Sequence, residues 1–117
     1  MLRIIFKTAM GSWQLKMAKT FKEILEDLKK ADKKRYKKLV EKLELFTKEL
    51  LEALEKGKPV SKKYRLHQLQ NFRYKGILYP DAYDAHLGGD TLLIFLIDKS
   101  SKTVIYLFLG SHSELFK

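Results

Sequence analysis

Histidines 67, 86 and 112 are the only three in this chain, and all fall in its C-terminal half. An imidazole with an unperturbed pKa of about 6.5 both takes and gives a proton near neutral pH, so three of them suggest acid–base work. Lysine and arginine number 24 against 14 acids, a net charge of +10 that points to an anionic partner. Proton-transferring groups beside so positive a surface fit chemistry on an anionic polymer, and RNA cleavage is the working expectation. Cutting RNA without a metal needs a base for the 2′-hydroxyl proton, an acid for the leaving 5′-oxygen, and positive charge around phosphorus. Histidine serves both proton roles.

The chain has no cysteine, which excludes a thiol nucleophile, a disulfide framework and a Cys-based zinc site. Three histidines with an aspartate are also a donor set for zinc with a water position left open, the alternative of a metal-dependent hydrolase. No two histidines have the i, i+4 spacing of a helical metal site, so no metal and no other cofactor is expected.

The positive charge is unevenly spread. Residues 57–80 carry Lys58, Lys62, Lys63, Arg65, Arg73 and Lys75 without one acid, whereas residues 81–117 carry −2. A second cluster, Lys29, Lys30, Lys33, Lys34, Arg35, Lys37 and Lys38, is relieved only by Asp32. The plain reading of such a run is a solvated helical face; the functional one is a phosphate-binding surface, for which Lys63, Arg65, Arg73 and Lys75 are the candidates.

These residues need a scaffold. Residues 2–7 are rich in β-branched and aromatic side chains and predict a first strand, followed by a Thr8 to Ser12 connection. Trp13, Met17, Phe21, Ile24, Leu25 and Leu28 recur at helical spacing, predicting a helix that begins near Ser12 or, by a Thr20 to Glu23 capping box, at Thr20. Asp32 is the expected N-cap of a second helix whose stripe runs from Tyr36 through Leu54, with Gly57 and Pro59 as the stop. Tyr64 to Leu69 predicts a short strand, and Gln70 to Asp81 an exposed loop. Ala82 to Leu87 alternates, with Tyr83, Ala85 and Leu87 on one face and Asp84 and His86 on the other; Asp84 reads as a surface or pairing residue. Thr91 to Ile97 and Thr103 to Leu109 are apolar runs expected of strands covered on both faces. The predicted fold is α+β, in the order β-α-α-β-β-β, with a helical hairpin packed on a small, mainly antiparallel sheet and residues 1–117 forming one domain. The charged run at positions 2–7 is too short for a secretory signal, and no apolar stretch approaches the roughly 20 residues that span a bilayer. A soluble, cytoplasmic protein with no membrane partner is expected.

Three segments carry a family resemblance. Tyr64-Arg65-Leu66-His67-Gln68-Leu69 resembles an "H-x-L" segment, Asp84-Ala85-His86 with Asp90 and Leu92-Leu93-Ile94-Phe95 resembles "D-A-H-x-x-x-D-W-x-L-I-Y", and Gly110-Ser111-His112-Ser113-Glu114-Leu115-Phe116 resembles "G-[ST]-H-x-x-L-F". Together they are similar to the RelE/ParE superfamily of toxins, and most to its YafQ branch, over about residues 16 to 117. The resemblance implies a RelE-like fold and a type II toxin–antitoxin toxin that cleaves messenger RNA on the ribosome, with a cognate antitoxin, ribosomal RNA and mRNA as partners. It implies His112 as principal acid or base, His86 and His67 in the remaining proton transfer and phosphate contact, Asp90 as an orienting carboxylate, and Phe116 stacking on a base. Two positions depart from the pattern: Thr91 replaces the usual tryptophan, and Phe108 stands where many members carry arginine. Those departures leave as an alternative a noncatalytic RelE-fold protein that only binds RNA or an antitoxin.

Overall fold

The computed structural model describes residues 9–115; the strand predicted at residues 2–7 and the candidate Phe116 lie outside them. Two short strands open the described chain, β1 (Ala9–Met10) and β2 (Trp13–Met17), paired antiparallel around Gly11. The helical hairpin follows as α1 (Lys19–Ala31) and α2 (Lys33–Lys56). After a single 3-10 turn at Lys62–Tyr64 come β3 (His67–Gln68), β4 (Phe72–Tyr74), β5 (Ile77–Tyr79), β6 (Ala82–Gly88), β7 (Thr91–Asp98) and β8 (Thr103–Ser111), and a last turn of helix, α3 (His112–Leu115). The main sheet runs β1-β2-β8-β7-β6-β3, antiparallel throughout except for β2 beside β8. The α+β expectation holds. No helix among the described residues is long and apolar enough to cross a membrane.

Both helix boundaries near residue 32 follow from local chemistry. Asp32 accepts a hydrogen bond from the Arg35 backbone N–H at 3.1 Å, the N-cap role its position predicts. Gly57 ends α2 in the left-handed conformation, φ 66°, with its N–H bonded to the Ala53 carbonyl. The predicted start of α1 is corrected. Trp13 and Leu15 are buried while Gln14 and Lys16 are exposed, a period of two rather than 3.6, because this segment adds to the sheet edge beside β8. The helix begins at Lys19 from an Ala18 cap that has no side-chain hydrogen bond, so Thr20 lies inside the first turn and the Thr20–Glu23 capping box does not form.

The hairpin buries Phe21, Leu25, Leu43, Phe46, Leu50 and Leu51 against the sheet face that carries Leu15, Ala85, Leu93, Phe95, Val104 and Tyr106. Full burial of each large side chain contributes roughly 1.5–3 kcal/mol. One polar pair sits within this layer: Thr47 Oγ1 and the Tyr106 hydroxyl lie 2.6 Å apart, both buried.

The opposite face is covered too, by a segment predicted as a loop. Residues 72–79 form a separate two-stranded hairpin, β4 with β5, whose Phe72 packs with Ala82, Ile94, Leu107 and Phe108, while Tyr74 and Tyr79 lie against them. A register shift where Ile94 and Phe95 face Phe108 and Tyr106 leaves Leu107 as the extra residue. It puts Leu107 and Phe108 consecutively on the hairpin side, after which Leu109 returns to the helix side. The predicted strand at Tyr64 to Leu69 is also shorter than expected, reduced to His67–Gln68 after the 3-10 turn.

Candidate active site

β6 is the backbone of the site. His67 in β3 pairs with Asp84 in β6, so the two side chains stand on the same face, and His86 follows two residues along that face. His67 Nδ1 lies 2.8 Å from Asp84 Oδ1 and 3.1 Å from the Arg65 carbonyl oxygen. One ring nitrogen thus faces two acceptors. The carboxylate is met at ion-pairing distance without hydrogen-bond alignment, which leaves Asp84 Oδ1 buried with no aligned donor. The rings of His67 and His86 are close to parallel, 27° between planes, with centroids 6.5 Å apart.

His112 reaches the cluster from the end of β8, where Thr91 pairs with Ser111 and Leu92, the partner of His86, pairs with Gly110. Its backbone is held from two sides. Ser111 Oγ accepts from the Glu114 N–H at 3.2 Å while Glu114 Oε1 accepts from the Ser111 N–H at 2.9 Å, a reciprocal capping box around His112. Asp90 Oδ1, from the β6–β7 turn, accepts from the His112 backbone N–H at 3.4 Å. Asp90 therefore meets His112 through the main chain.

Asp84 lies at the centre. It is 3% exposed, and burial pushes its carboxyl above the usual value of 3.8, while His67, His86 and His112, in that order, pull it back down. All three imidazoles thus bear electrostatically on one carboxyl group. The surface role read for Asp84 is corrected: β3 covers it on one side and the sheet on the other. Its place in the strand face was legible from alternation, but its burial was not, because the two-residue strand that covers it has no periodicity of its own.

The candidate cations divide into two groups. Lys63, with its ammonium 5.1 Å from the Tyr64 ring centroid, shares a groove of about 320 Å³ with Lys42, Leu45, Tyr64, His86, Leu87 and Gly88. Arg65, exposed and in the left-handed conformation, is the residue whose carbonyl meets His67. Arg73 and Lys75 belong instead to the β4–β5 hairpin. Arg73 points outward between Phe72 and Tyr74, and the Lys75 ammonium lies over the Tyr74 ring, itself 3.9 Å centroid to centroid from Phe108. Phe108 is two strands from Asp84 in the same row, through Ile94, so these two cations border the site rather than enter the imidazole cluster. Thr91 is half-buried at the start of β7, opposite Ser111. Among the described residues, no three histidine, aspartate or glutamate side chains converge in a metal-holding arrangement. Lys42 was not singled out by sequence, since a lysine on a long charged helix carries no local signal.

Comparison with known proteins agrees with this fold. Residues 13–117 match the family described as "Bacterial toxin of type II toxin-antitoxin system, YafQ". Over 105 residues the chain is 25% identical to a putative toxin, RelE4, of Methanocaldococcus jannaschii, covering 90% of this chain and 92% of that one. It is similar to the toxin in the E. coli DinJ-YafQ toxin-antitoxin complex, with a TM-score of 0.60 at 22% identity over 92% of this chain and 100% of that one. A metal-bound toxin from Helicobacter pylori superposes with a TM-score of 0.55 at 30% identity, covering 87% of this chain and 97% of that one.

Proposed function

The chain belongs to the YafQ family of type II toxin–antitoxin toxins, and from that premise we propose that it is a ribosome-dependent endoribonuclease that cleaves messenger RNA by metal-independent histidine chemistry. The observation that carries the proposal is that His67, His86 and His112 all act electrostatically on Asp84, and that His86 lines a groove with Lys42 and Lys63. Acting as one domain, residues 1–117 bind the message in the cytoplasm, on the ribosome, through phosphate contacts from Lys63, Arg65, Arg73 and Lys75.

In this reading one imidazole removes the 2′-hydroxyl proton, the 2′-oxygen attacks phosphorus, and a second imidazole protonates the departing 5′-oxygen. The products are a 2′,3′-cyclic phosphate and a free 5′-hydroxyl. His112, exposed at the head of α3 and fixed through its main chain by Asp90 and the capping box, is the principal proton-transfer group. His67 and His86 supply the second transfer and contact the phosphate. Asp84 stabilises the imidazolium formed during the step, as a buried carboxylate does beside a general base. Phe116 stacks on a base beside the cut. By analogy with the E. coli complex, in which YafQ is bound to DinJ, a cognate antitoxin covers this basic surface.

Expression of wild type beside His112→Ala, with 5′ ends mapped on translated messages, tests the reading. Growth arrest with new 5′ ends inside open reading frames is expected only for wild type. Equal behaviour of the two would leave a noncatalytic binder.

A further inference from the structure

Neutralising a phosphate that is gaining negative charge calls for a cation beside the attacked phosphorus. The sheet face at position 108 cannot supply it, because Phe108 is buried under Phe72, Tyr74 and Tyr79. A cation from the helical layer that shares a groove with His86 is Lys42. It stands on α2 beside the anchored Leu43, lines the same groove as His86 and Lys63, and its Nζ lies 2.9 Å from where a Cβ on Gly88 would sit. Gly88 is two residues beyond His86 and has φ 111°, a conformation that favours glycine, so its bare backbone is what admits the ammonium. Among the described residues Lys42 has no carboxylate at ion-pairing distance, in contrast to Lys56 and Lys58, which share Glu52. Its charge is therefore available to a ligand.

Resting on the nuclease reading above, we propose that Lys42 is the residue that contacts the scissile phosphate and stabilises its transition-state charge, entering over Gly88 from the helical layer. Lys63, which lines the same groove, steers the neighbouring phosphate.

The test is single-turnover cleavage of message on translating ribosomes by wild type, Lys42→Ala, Lys42→Arg and Lys22→Ala, the last an exposed α1 lysine of equal charge. Lys42→Ala is expected to lower the cleavage rate at saturation by about 100-fold or more. Its half-saturating concentration should change far less, and its log–log salt slope should flatten by about one. Lys42→Arg is expected to recover most of the rate, and Lys22→Ala to match wild type. Lys42→Ala matching Lys22→Ala while wild type cleaves would overturn this assignment and leave the nuclease reading intact. Equal losses in Lys42→Ala and Lys42→Arg, with lowered melting temperatures, would show a structural role and overturn it as well. An inactive wild type on active ribosomes would sink the nuclease reading itself.

Discussion

Phe108 occupies the position where the family resemblance leads one to expect an arginine, and Phe108→Ala and Phe108→Arg ask what the aromatic ring does there. The ring is 3% exposed and meets Tyr74, Tyr79 and Phe72 at centroid distances of 3.9, 6.2 and 6.3 Å. Truncating a phenylalanine in such a setting costs roughly 3–5 kcal/mol, from lost transfer energy and the cavity left behind. That loss falls mainly on one element. β4 and β5 pair only with each other, so side-chain packing on Phe108 and its neighbours is what holds the hairpin to the main sheet. A two-stranded hairpin has little stability alone, so it should undock before the sheet melts. Amide hydrogen exchange across residues 72–79 of Phe108→Ala should therefore accelerate by about 100-fold or more, the equivalent of 3 kcal/mol, while β7 and β8 stay protected. Phe108→Arg loses the same ring contacts and places a guanidinium among aromatics, so it should loosen the hairpin and leave cleavage no faster than wild type. Unchanged exchange in Phe108→Ala, or a gain in cleavage by Phe108→Arg, would refute the reasoning.

Asp84→Asn should separate stability from activity. Burial raises the Asp84 carboxyl above 3.8, so its ionisation opposes folding: the wild type loses stability relative to the variant as pH rises past that value, and the deficit persists at neutral pH. Chemical denaturation should show nearly equal stabilities near pH 3 and a more stable variant at pH 7, together with slower cleavage. Ser111→Ala removes one half of the capping box and should cost about 1 kcal/mol by thermal melting, with a larger proportional loss of cleavage because His112 loses its fixed backbone. Thr47→Val leaves the buried Tyr106 hydroxyl without its 2.6 Å partner and should cost about 1–3 kcal/mol, with cleavage at permissive temperature unchanged. Binding to ribosomes should weaken steeply with added salt, and a flat response would remove phosphate contact from the account.

The parts of the fold legible in the sequence are those with strong periodicity or specific end chemistry. Asp32 and Gly57 bracket α2 as their types require, and the apolar runs of β7 and β8 are covered on both faces. Trp13 and Met17 misled because positions four apart satisfy helical spacing, whereas the alternation of Trp13 and Leu15 with Gln14 and Lys16 is the pattern a half-buried strand needs. The 72–79 hairpin was hidden by Gly76 and Pro80, which mark its bends but say nothing of the aromatic packing that holds it down. The histidines were visible as residue types. What brings them together was visible only in part: the S-x-x-E box at Ser111 is readable in sequence, but Asp84 became central through burial by a two-residue strand, and Lys42 through the absence of a side chain at Gly88. Both effects depend on contacts far apart in the chain.

The chemistry of the cut ends tests the central claim most directly. Purified chain, treated with a chelator beforehand and then added to ribosome-bound message in magnesium buffer, should leave a 2′,3′-cyclic phosphate on one fragment and a 5′-hydroxyl on the next, and a single 2′-deoxy nucleotide at the cut position should abolish cleavage there. Fragments bearing 5′-phosphates, formed on the deoxy-substituted message as readily as on the natural one, would contradict histidine-driven attack by the 2′-oxygen.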